Sequence, residues 1–381
     1  MGDLVTIRTG KLDSNAAIDG GKYPFFTCSR ETFQTDTWAF DGKYVLLAGN
    51  NAAGKFPIKY FEGKFDAYQR TYAIQSNDES ILLTRYLYYV LKLELEMLRR
   101  ASTGATTKFL TLPLLKGIEI RFPPIEIQES VVELLGSIDD LVIVNNRRMN
   151  KINRINEILF AAVFNSQDKT EQEIHFLQSM GINCEECNLI NLLESEYFSL
   201  IKKNISLFEG EKRYLATADV QGLIRNQDIP SFNWTEKPSR AQKQPIMNSV
   251  WFARMKDSDK IIGVDEFSSY LENKYVLSSG FAGLLATNQK YYPYLLNLVL
   301  SNQFNQNKNL YCTGATQKSI NNGSLNEIKI LDYGPKVVEQ FCRITAPLVG
   351  KLSYLLEQNI LLQKLIDGLN RPLVSGHLIK G

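Results

Sequence analysis

Few residues of this sequence have the types and the spacing that catalysis or metal binding requires. Cys184 and Cys187 form one Cys-x-x-Cys pair, whereas a structural zinc ion needs four ligands. The two histidines, His175 and His377, are not at ligand spacing, and neither is arranged near a candidate nucleophile. We therefore expect packed thiols or a solvated loop at the cysteine pair, and no catalytic residue, cofactor site or metal site in this chain.

A glycine-rich segment, Gly49–Lys55, follows a run of strand-forming residues and fits the first seven positions of a phosphate-binding loop. The eighth residue is Phe56 instead of the Ser or Thr that would hold magnesium. Pro57 then disfavours the helix N-terminus that such a loop requires. A hairpin loop that could face a backbone phosphate of DNA is therefore favoured, and a nucleotide-dependent enzyme is a third, weaker hypothesis.

One short segment occurs twice, 210 positions apart. Ser102–Lys108 and Cys312–Lys318 share the sequence Thr-Gly-Ala-Thr, and Leu325 follows the second copy as Leu115 follows the first. This period is too long for a solenoid repeat and indicates two similar domains, each followed by a long helix. Glycine permits a tight turn, while the threonine hydroxyls and the following lysine suit a phosphate clasp. Both interpretations of the segment, structural and phosphate-binding, stay open.

Basic and amide residues interleaved with aromatic residues form the candidate reading surface. Arginine suits guanine and the amides suit adenine, through paired hydrogen bonds to base edges. The Arg240–Gln244 cluster lies in a long, non-periodic segment where a loop could reach DNA. With the two repeated segments, the candidate DNA-binding residues are Ser29, Arg30, Asn50, Asn51, Lys55, Gln69, Arg70, Thr103, Thr106, Lys108, Arg225, Arg240, Gln242, Lys243, Thr313, Thr316 and Lys318.

The stretch after each repeat has the periodicity of a long helix whose apolar seam must be buried, most simply against the other helix. The predicted a positions are Val131, Ile138, Asn145, Ile152 and Leu159, and Phe341, Leu348, Leu355, Leu362 and Leu369. The predicted d positions are Leu134, Leu141, Arg148, Ile155 and Ala162, and Ile344, Lys351, Gln358, Leu365 and Pro372. Asn145 would fix the register, while Pro347 requires a kink or a helix that starts just before it. The alternative is that each helix packs on its own domain.

The composition is ordinary for a soluble protein, with 44% hydrophobic residues and no apolar run near the ~18 residues that span a bilayer. The N-terminus has no leader-like pattern, and five scattered cysteines fit a reducing compartment, so we expect a cytoplasmic protein. A length of 381 residues favours two or more domains. The net charge of +2 neither indicates nor excludes nucleic-acid binding, which depends on local clustering.

Four segments together make the chain resemble the DNA-specificity subunits of type I restriction-modification systems. Besides Thr-Gly-Ala-Thr, they are Gly21–Thr27, Phe122–Gln128 and Leu365–Gly376. These are similar to the family's Gly-x-Tyr-Pro-Phe-Phe, Pro-Pro-x-x-Glu-Gln and Leu-Arg-Asp-x-Leu-Leu-Pro-x-Leu-x-Ser-Gly. The chain departs from the family at Ile366, which replaces an arginine, and at Asn370-Arg371. The second domain has Arg213–Asp219 instead of Tyr-Pro-Phe-Phe, so the two halves should read different sequences.

The resemblance implies an α+β fold with two β-rich target recognition domains, separated by two long antiparallel helices that form a coiled coil with pseudo-two-fold symmetry. The expected parts are target recognition domain 1 at 1–123, spacer helix 1 at 124–166, target recognition domain 2 at 167–334, and spacer helix 2 with the C-terminal tail at 335–381. Helices of roughly 35–40 residues would be ~50–60 Å long, so the pair could act as a ruler between two half-sites on DNA.

The resemblance also implies a non-catalytic subunit that recognises a bipartite, asymmetric sequence in double-stranded DNA. Methyltransferase (modification) subunits and a restriction/translocase subunit would dock on the helices, where Leu356, Leu361 and Ile366 are candidate contacts. Those partners, and not this chain, would bring S-adenosylmethionine, ATP and magnesium. The alternative function is a coiled-coil scaffold for protein interactions without DNA binding.

Overall fold

The computed structural model describes residues 1–52, 54, 56–104, 107–166, 168–184, 187–226, 229–315 and 317–374. The chain forms two compact units. Unit 1 contains Met1–Val142 and the C-terminal segment from Leu362, and unit 2 contains Ile143–Leu361. The division falls inside both long helices, and the domain boundaries expected from the sequence stay a prediction.

Unit 1 is built mainly from strands. They are β1 (Val5–Thr9), β2 (Tyr23–Phe26), β3 (Thr32–Thr35), β4 (Phe40–Ala48), β5 (Asn50–Asn51), β6 (Ile58–Ala67), β7 (Thr71–Ser76) and β8 (Lys108–Phe109). The helices are α1 (Thr84–Ala101), α2 (Leu112–Lys116), the first part of α3 (Ile125–Phe164) and the last part of the C-terminal helix, from Leu362. Six strands form one sheet in the order β1-β7-β4-β6-β2-β3, and β5 pairs with β8.

Strand β4 lies in the middle of this sheet and is buried on both faces. Tyr44 and Leu46 pack in an aromatic cluster with Phe65, whereas Val45 and Leu47 pack with residues of α1. Because side chains alternate between the two faces of a strand, one apolar run can fill both layers. Strand β4 is the run of strand-forming residues that precedes the glycine-rich segment.

Unit 2 has more strands and shorter helices. The strands are β9 (Asn188–Asn191), β10 (Phe198–Leu200), β11 (Lys212–Leu215), β12 (Val220–Gln221), β13 (Ile224–Arg225), β14 (Ser231–Phe232), β15 (Ala241–Lys243), β16 (Ser249–Ala253), β17 (Ile261–Val264), β18 (Tyr275–Ser278), β19 (Phe281–Ala286) and β20 (Lys329–Asp332). The helices are the second part of α3, α4 (Glu171–Ser179), α5 (Tyr270–Lys274), α6 (Tyr292–Leu300), α7 (Asn302–Leu310), α8 (Asn322–Leu325) and the first part of α9 (Pro335–Val374). Two four-stranded sheets have the orders β10-β19-β16-β17 and β14-β11-β18-β15.

The two units share a strand order. In unit 1 it is β1-β7-β4-β6 and in unit 2 it is β10-β19-β16-β17, with antiparallel pairing throughout. The short helices α2 and α8 begin after the capping residues Thr111 and Asn321, which are 210 positions apart, and both contain a fully buried leucine, Leu115 or Leu325. The sequence duplication therefore corresponds to a duplicated β-rich fold.

Helices α3 and α9 are each 40 residues long. Helix α9 begins at Pro335 and continues past Pro347, so the expectation of a helix start just before Pro347 is wrong. A proline inside a helix leaves one carbonyl without its usual N–H donor. Two residues before Pro347, the Thr345 hydroxyl donates to the Phe341 carbonyl at 2.8 Å. No described helix combines the length and the apolar content that crossing a membrane requires.

The buried seam of each long helix follows the predicted a positions but not the predicted d positions. The d residues Leu134, Leu141 and Ile155 are 44%, 37% and 46% exposed. The second buried or half-buried row lies four residues after each a position, at Leu135, Val142, Met149, Asn156 and Val163 in α3, and at Thr345, Leu352, Asn359, Ile366 and Leu373 in α9. Steps of three and of four residues both return to one helix face, so periodicity alone did not distinguish the two rows.

Within unit 2 the two long helices pair in antiparallel orientation. Asn145 Nδ2 donates to Gln358 Oε1 (2.8 Å) and to Asn359 Oδ1 (2.9 Å). Further along α3, Met149 packs with Leu352 and Leu355, and Phe160 and Phe164 then contact Phe341. As residue numbers rise on α3 they fall on α9. The predicted helix pairing is confirmed, with Asn145 as a polar contact in its seam.

Of the three partner contacts predicted on α9, Leu356, Leu361 and Ile366, only one is exposed. Ile366 is fully buried and therefore not available to a partner. Leu356 is half-buried against the cluster of Met149, Leu352 and Leu355. Leu361, in contrast, is 65% exposed.

Candidate nucleic-acid interface

The repeated Thr-Gly-Ala-Thr segments are closed by the same hydrogen bonds in both units. In unit 1, Thr103 N–H donates to the Phe109 carbonyl (3.2 Å), and Phe109 N–H donates to the Thr103 carbonyl (2.8 Å). In unit 2, Thr313 and Ser319 exchange the same two bonds at 3.1 and 2.9 Å. We call these segments, Thr103–Phe109 and Thr313–Ser319, the first and second turns.

Each turn depends on its glycine. Gly104 has a φ of +102° and Gly314 a φ of +132°. A Cβ atom would lie 2.0 Å from the Thr107 carbonyl oxygen at Gly104, and 2.6 Å from the Gln317 carbonyl oxygen at Gly314. Other residues would both strain the backbone and collide with it. The structural interpretation of the repeat is confirmed, and phosphate binding stays a prediction.

Both turns rest on the chain that follows a central strand. In unit 1, Leu110 N–H donates to the Gly49 carbonyl (2.8 Å), and Asn50 and Asn51 pair with Phe109 and Lys108. In unit 2, Ile320 N–H donates to the Arg254 carbonyl (2.9 Å), and Met255 pairs with Ser319. The glycine-rich loop of unit 1 is thus the support of the first turn, and residues 254–256 form its counterpart in unit 2.

Five predicted residues of unit 1 lie together around this support: Asn50, Asn51, Arg70, Thr103 and Lys108. The Arg70 carbonyl accepts from Gly49 N–H (2.8 Å). The guanidinium carbon of Arg70 lies 5.8 Å from the centre of the Phe109 ring. Thr103 and Arg70 are exposed, whereas Lys108 and the two asparagines are half-buried. The Asn50 Oδ1 atom is buried without a hydrogen-bond partner among the described residues. We call this group the first loop surface.

Three further predicted residues of unit 1 lie in neighbouring turns. Ser29 and Arg30 are in the turn between β2 and β3, where the adjacent Cys28 thiol donates to the Arg70 carbonyl at 3.3 Å. The Ser29 hydroxyl accepts from Glu31 N–H (3.1 Å), and Arg30 is exposed. Gln69 is also exposed, and its Nε2 donates to Asp13 Oδ1 at 2.7 Å. The predicted residues Lys55, Thr106 and Thr316 lie outside the described residues.

In unit 2 the predicted cluster lies in β15 and just before it. Arg240 is exposed, with its Nη2 atom 3.2 Å from the place of a Cβ at Gly280. Gly280 occupies the position that Arg70 has in unit 1, because its carbonyl accepts from Arg254 N–H (2.9 Å) as that of Arg70 accepts from Gly49. Arg240, from the turn just before β15, thus brings a guanidinium to the place where unit 1 has Arg70.

The other members of this cluster are partly held by neighbouring groups. Gln242 Nε2 donates to the Ser239 carbonyl (3.0 Å), and Lys243 Nζ donates to Asn204 Oδ1 (2.7 Å). Burial lowers the pKa of Lys243, and the positive charge of Arg254 lowers it further. Thr313 and Lys318, in the second turn, are exposed.

Arg225 is a correction, because the structure places its side chain in the interior of unit 2. Its guanidinium pairs with Glu357 of α9 and lies 3.3 Å from the Tyr270 hydroxyl, and only 7% of the arginine side chain is exposed. The predicted DNA contact at this residue is therefore wrong. A buried arginine needs such a partner, since an unpaired charge in the interior is strongly unfavourable.

Two cations of unit 2 were missed by the sequence analysis, Arg254 and Lys256. They correspond to Gly49 and Asn51 through their hydrogen bonds to the second turn. Gly49 and Arg254 are 205 positions apart, whereas the turns are 210 apart, so the offset that revealed the duplication misaligns this segment. Only the strand pairing makes the correspondence visible.

The described residues contain no group of three or more His, Cys, Asp and Glu side chains that could hold a metal ion. Cys184 and Cys187 are free thiols, half-buried against the main core of unit 2. Burial raises the pKa of the Cys184 thiol, which favours its protonated form. Of the two expectations for this pair, packed thiols is therefore correct.

Comparison with known proteins supports the resemblance found in the sequence. Residues 1–154 match the family described as "Type I restriction modification DNA specificity domain". The EcoDI specificity subunit of Escherichia coli is 38% identical over 156 residues, which are 41% of this chain and 34% of that protein. The MpnII specificity subunit of Mycoplasma pneumoniae is 28% identical over 145 residues, 36% of this chain and 42% of that protein. These alignments span less than half of the length of either relative.

A solved structure extends the likeness over the whole fold. The S subunit of a type I restriction-modification system from M. genitalium aligns with 98% of this chain and 94% of its own, with a TM-score of 0.58 and 16% sequence identity. The chain therefore has the α+β fold of that S subunit, and the resemblance to the DNA-specificity subunits is confirmed.

Proposed function

We propose that this chain is the DNA-specificity subunit of a type I restriction-modification enzyme and recognises a bipartite, asymmetric sequence in double-stranded DNA. The observation that carries the proposal is the duplicated turn on its support, present once in each unit and surrounded by exposed cations. Each unit would read one half of the target. Because the supports differ, with Asn50 and Asn51 in one and Met255 and Lys256 in the other, the two half-sites would differ in sequence.

The chain would supply recognition and no catalysis. Sequence and geometry offer DNA ligands: exposed Arg30, Arg70 and Arg240 for phosphates or guanines, and amide side chains for adenines. Methylation and cleavage would depend on modification and restriction subunits, which would bring S-adenosylmethionine, ATP and magnesium. We infer a cytoplasmic location because DNA and these partners are there.

Exposed apolar residues on the long helices are the proposed docking sites for those subunits. On α3 they include the d-row residues Leu134, Leu141 and Ile155, with Ile158 also exposed. On α9 they are Leu361 and Leu365. Large aliphatic side chains held at a fixed helix surface favour burial against another protein. Leu361 is retained from the sequence prediction, and Leu365 takes the place of the buried Ile366.

The proposal is tested with the chain purified together with its modification partner. The recognised sequence is first mapped from the adenines methylated in DNA from cells that express both proteins. The complex should then bind a duplex with that sequence more tightly than a scrambled duplex, with an affinity that falls as salt rises. A complex that binds both duplexes equally well would sink the proposal. Absence of any DNA binding, together with retained binding to partner proteins, would favour the protein-interaction scaffold instead.

A further inference from the structure

Two lysines lie opposite one another beneath the second turn. Lys256 N–H donates to the Lys318 carbonyl at 2.9 Å, next to the paired Met255 and Ser319. Both lysines are exposed, and neither forms an ion pair in the part of the chain that the structure describes. Like charges directly across a β pair repel each other, so this arrangement is unfavourable until an anion lies between them.

Further cations surround the lysine pair. Arg254, two residues before Lys256, donates from Nη1 to the Ile320 carbonyl (3.2 Å) and from Nη2 to Asn322 Oδ1 (2.6 Å). No described carboxylate forms an ion pair with it. Its charge is near enough to Lys243 to lower the pKa of that ammonium. The adjacent Asp257 carboxylate accepts from Asn309 Nδ2 at 2.9 Å. Arg254, Lys256 and Lys318 thus outnumber the carboxylate that follows Lys256 in the chain, Asp257, which forms no ion pair with any of them within the described residues.

Unit 1 has a different pair at the same place. Asn51 lies opposite Lys108, so one lysine replaces two. Arg99 is close to the loop next to Lys108, since a Cβ at Gly54 would lie 3.1 Å from Arg99 Cγ and 3.3 Å from Lys108 Cγ. Arg99 is paired with Glu96 at 3.6 Å, which offsets its charge. Among the described residues, the two turns thus share a backbone geometry and differ in the number of lysines at this pair.

We propose that Lys256 and Lys318 together bind one backbone phosphate of the DNA half-site read by unit 2, whereas at unit 1 the equivalent phosphate is bound by Lys108, opposite the uncharged Asn51. This inference rests on the proposed function. Lysine is a compact point charge suited to phosphate and carries little base specificity. The pair fixes the position of unit 2 on the DNA backbone, and neighbouring residues read the bases.

The test follows from counterion release. The slope of log affinity against log salt concentration depends on the number of phosphates neutralised, with about 0.9 for each. If one phosphate lies between two lysines, Lys256→Gln or Lys318→Gln alone leaves it neutralised and changes the slope little. The double variant loses the phosphate, and its slope falls by about 0.9. Lys108→Gln alone should lower the slope by the same amount, because Asn51 cannot replace the lost charge.

The measurement is fluorescence anisotropy of the assembled complex on a labelled target duplex, from 50 to 200 mM salt. Lys336→Gln, an exposed lysine at the start of α9, is the control for loss of one charge and should leave the slope unchanged. Between those salt concentrations, the affinity advantage of the unmodified complex over the double variant should shrink about threefold to fourfold. The proposal that the two lysines share one phosphate is wrong if the slope of the double variant is unchanged. It is also wrong if each single variant lowers the slope equally and the two decreases add. If the unmodified complex does not bind its target duplex more tightly than a scrambled duplex, the proposed function itself is wrong.

Discussion

At the scale of single residues, the interior of unit 2 contains one charged pair whose partners come from distant parts of the chain. Arg225 on β13 and Glu357 on α9 are 132 positions apart and have side chains only 7% and 14% exposed. The Tyr270 hydroxyl donates to the second Glu357 oxygen at 2.9 Å, and burial raises the pKa of that tyrosine. The carboxylate thus has two partners, which is what a buried charge requires.

We expect Arg225→Met to be strongly destabilising, because it leaves the Glu357 carboxylate buried without its cation. The free energy of unfolding should fall by ~3–5 kcal/mol, whereas combining Arg225→Met with Glu357→Leu should restore most of the loss. Urea denaturation at pH 7 measures both variants. Arg343→Met, which removes an exposed arginine of α9, is the control and should change stability little. Equal losses in the single and double variants would mean that the pair is not the stabilising contact.

Arg225 also marks the limit of what residue types alone could predict. Arg225 and Asn226 lie in a polar segment, so the sequence made Arg225 a candidate as well, although it favoured the cluster at the exposed Arg240. What distinguishes them is a carboxylate far along the chain that folding brings next to only one of them. The turn residues Thr103, Gly104 and Lys108 were easier to find, because their contacts are local and occur twice.

At the scale of elements, the seam of the paired helices contains a buried amide side chain that has no hydrogen-bond partner at either polar atom among the described residues. Asn156 is 2% exposed, and neither its amide nitrogen nor its amide oxygen has a hydrogen-bond partner among the described residues. The residue 210 positions later, at the equivalent seam position of α9, is the fully buried Ile366. The two copies of the helix thus fill the same position with a polar and an apolar side chain.

We predict that Asn156→Ile stabilises the protein by about 1–3 kcal/mol, because it removes a buried amide that lacks partners. The matched opposite change, Ile366→Asn, should destabilise by a comparable amount or more. Thermal and urea unfolding measure whether the free energy of unfolding rises in Asn156→Ile and falls in Ile366→Asn. A loss of stability in Asn156→Ile would contradict this, and would mean that an ordered water molecule satisfies the amide or that isoleucine does not fit the site.

The heptad pattern predicted both long helices correctly, but only one of the two rows of residues that each helix buries. The a row was right and the d row was wrong. Leu134, Leu141 and Ile155 are apolar and made the d row a reasonable choice, yet they stay exposed on the helix surface. The e row that replaces it contains Asn156, Thr345 and Asn359, whose polarity concealed its burial. An apolar row left exposed on a helix is typical of a surface that binds another protein.

At the scale of the whole molecule, the duplication was visible in the sequence where its offset is constant, and hidden where it is not. The turns, the capped short helices and the long helices keep the 210-residue offset. The supports of the turns do not, because the chain from Ala253 to Phe281 is longer than the chain from Ala48 to Thr71 and contains α5 and β18. Lys256 is therefore found by hydrogen-bond pattern and not by alignment.

If the long helices set the spacing between the two half-sites, as the sequence leads us to expect, lengthening both should lengthen the spacer in the DNA target. We propose duplicating residues 147–153 of α3 and residues 349–355 of α9, because Met149 and Ile152 pack with Leu352 and Leu355 and each copy would face its own partner. Seven residues add ~10 Å of helix and keep the seam on one face, which corresponds to about three base pairs at 3.4 Å each.

The spacer is measured by mapping methylated adenines in cells that express the lengthened chain with its modification partner. The preferred spacer should grow by about three base pairs, while both half-sites keep their sequence, because the insertion adds nothing to either turn or its support. A heptad inserted into α3 alone is the control, since it leaves seven residues without a partner and should lower stability and methylation together. A changed half-site would mean that the helices contribute to base recognition, and an unchanged spacer would mean that something other than helix length sets the distance.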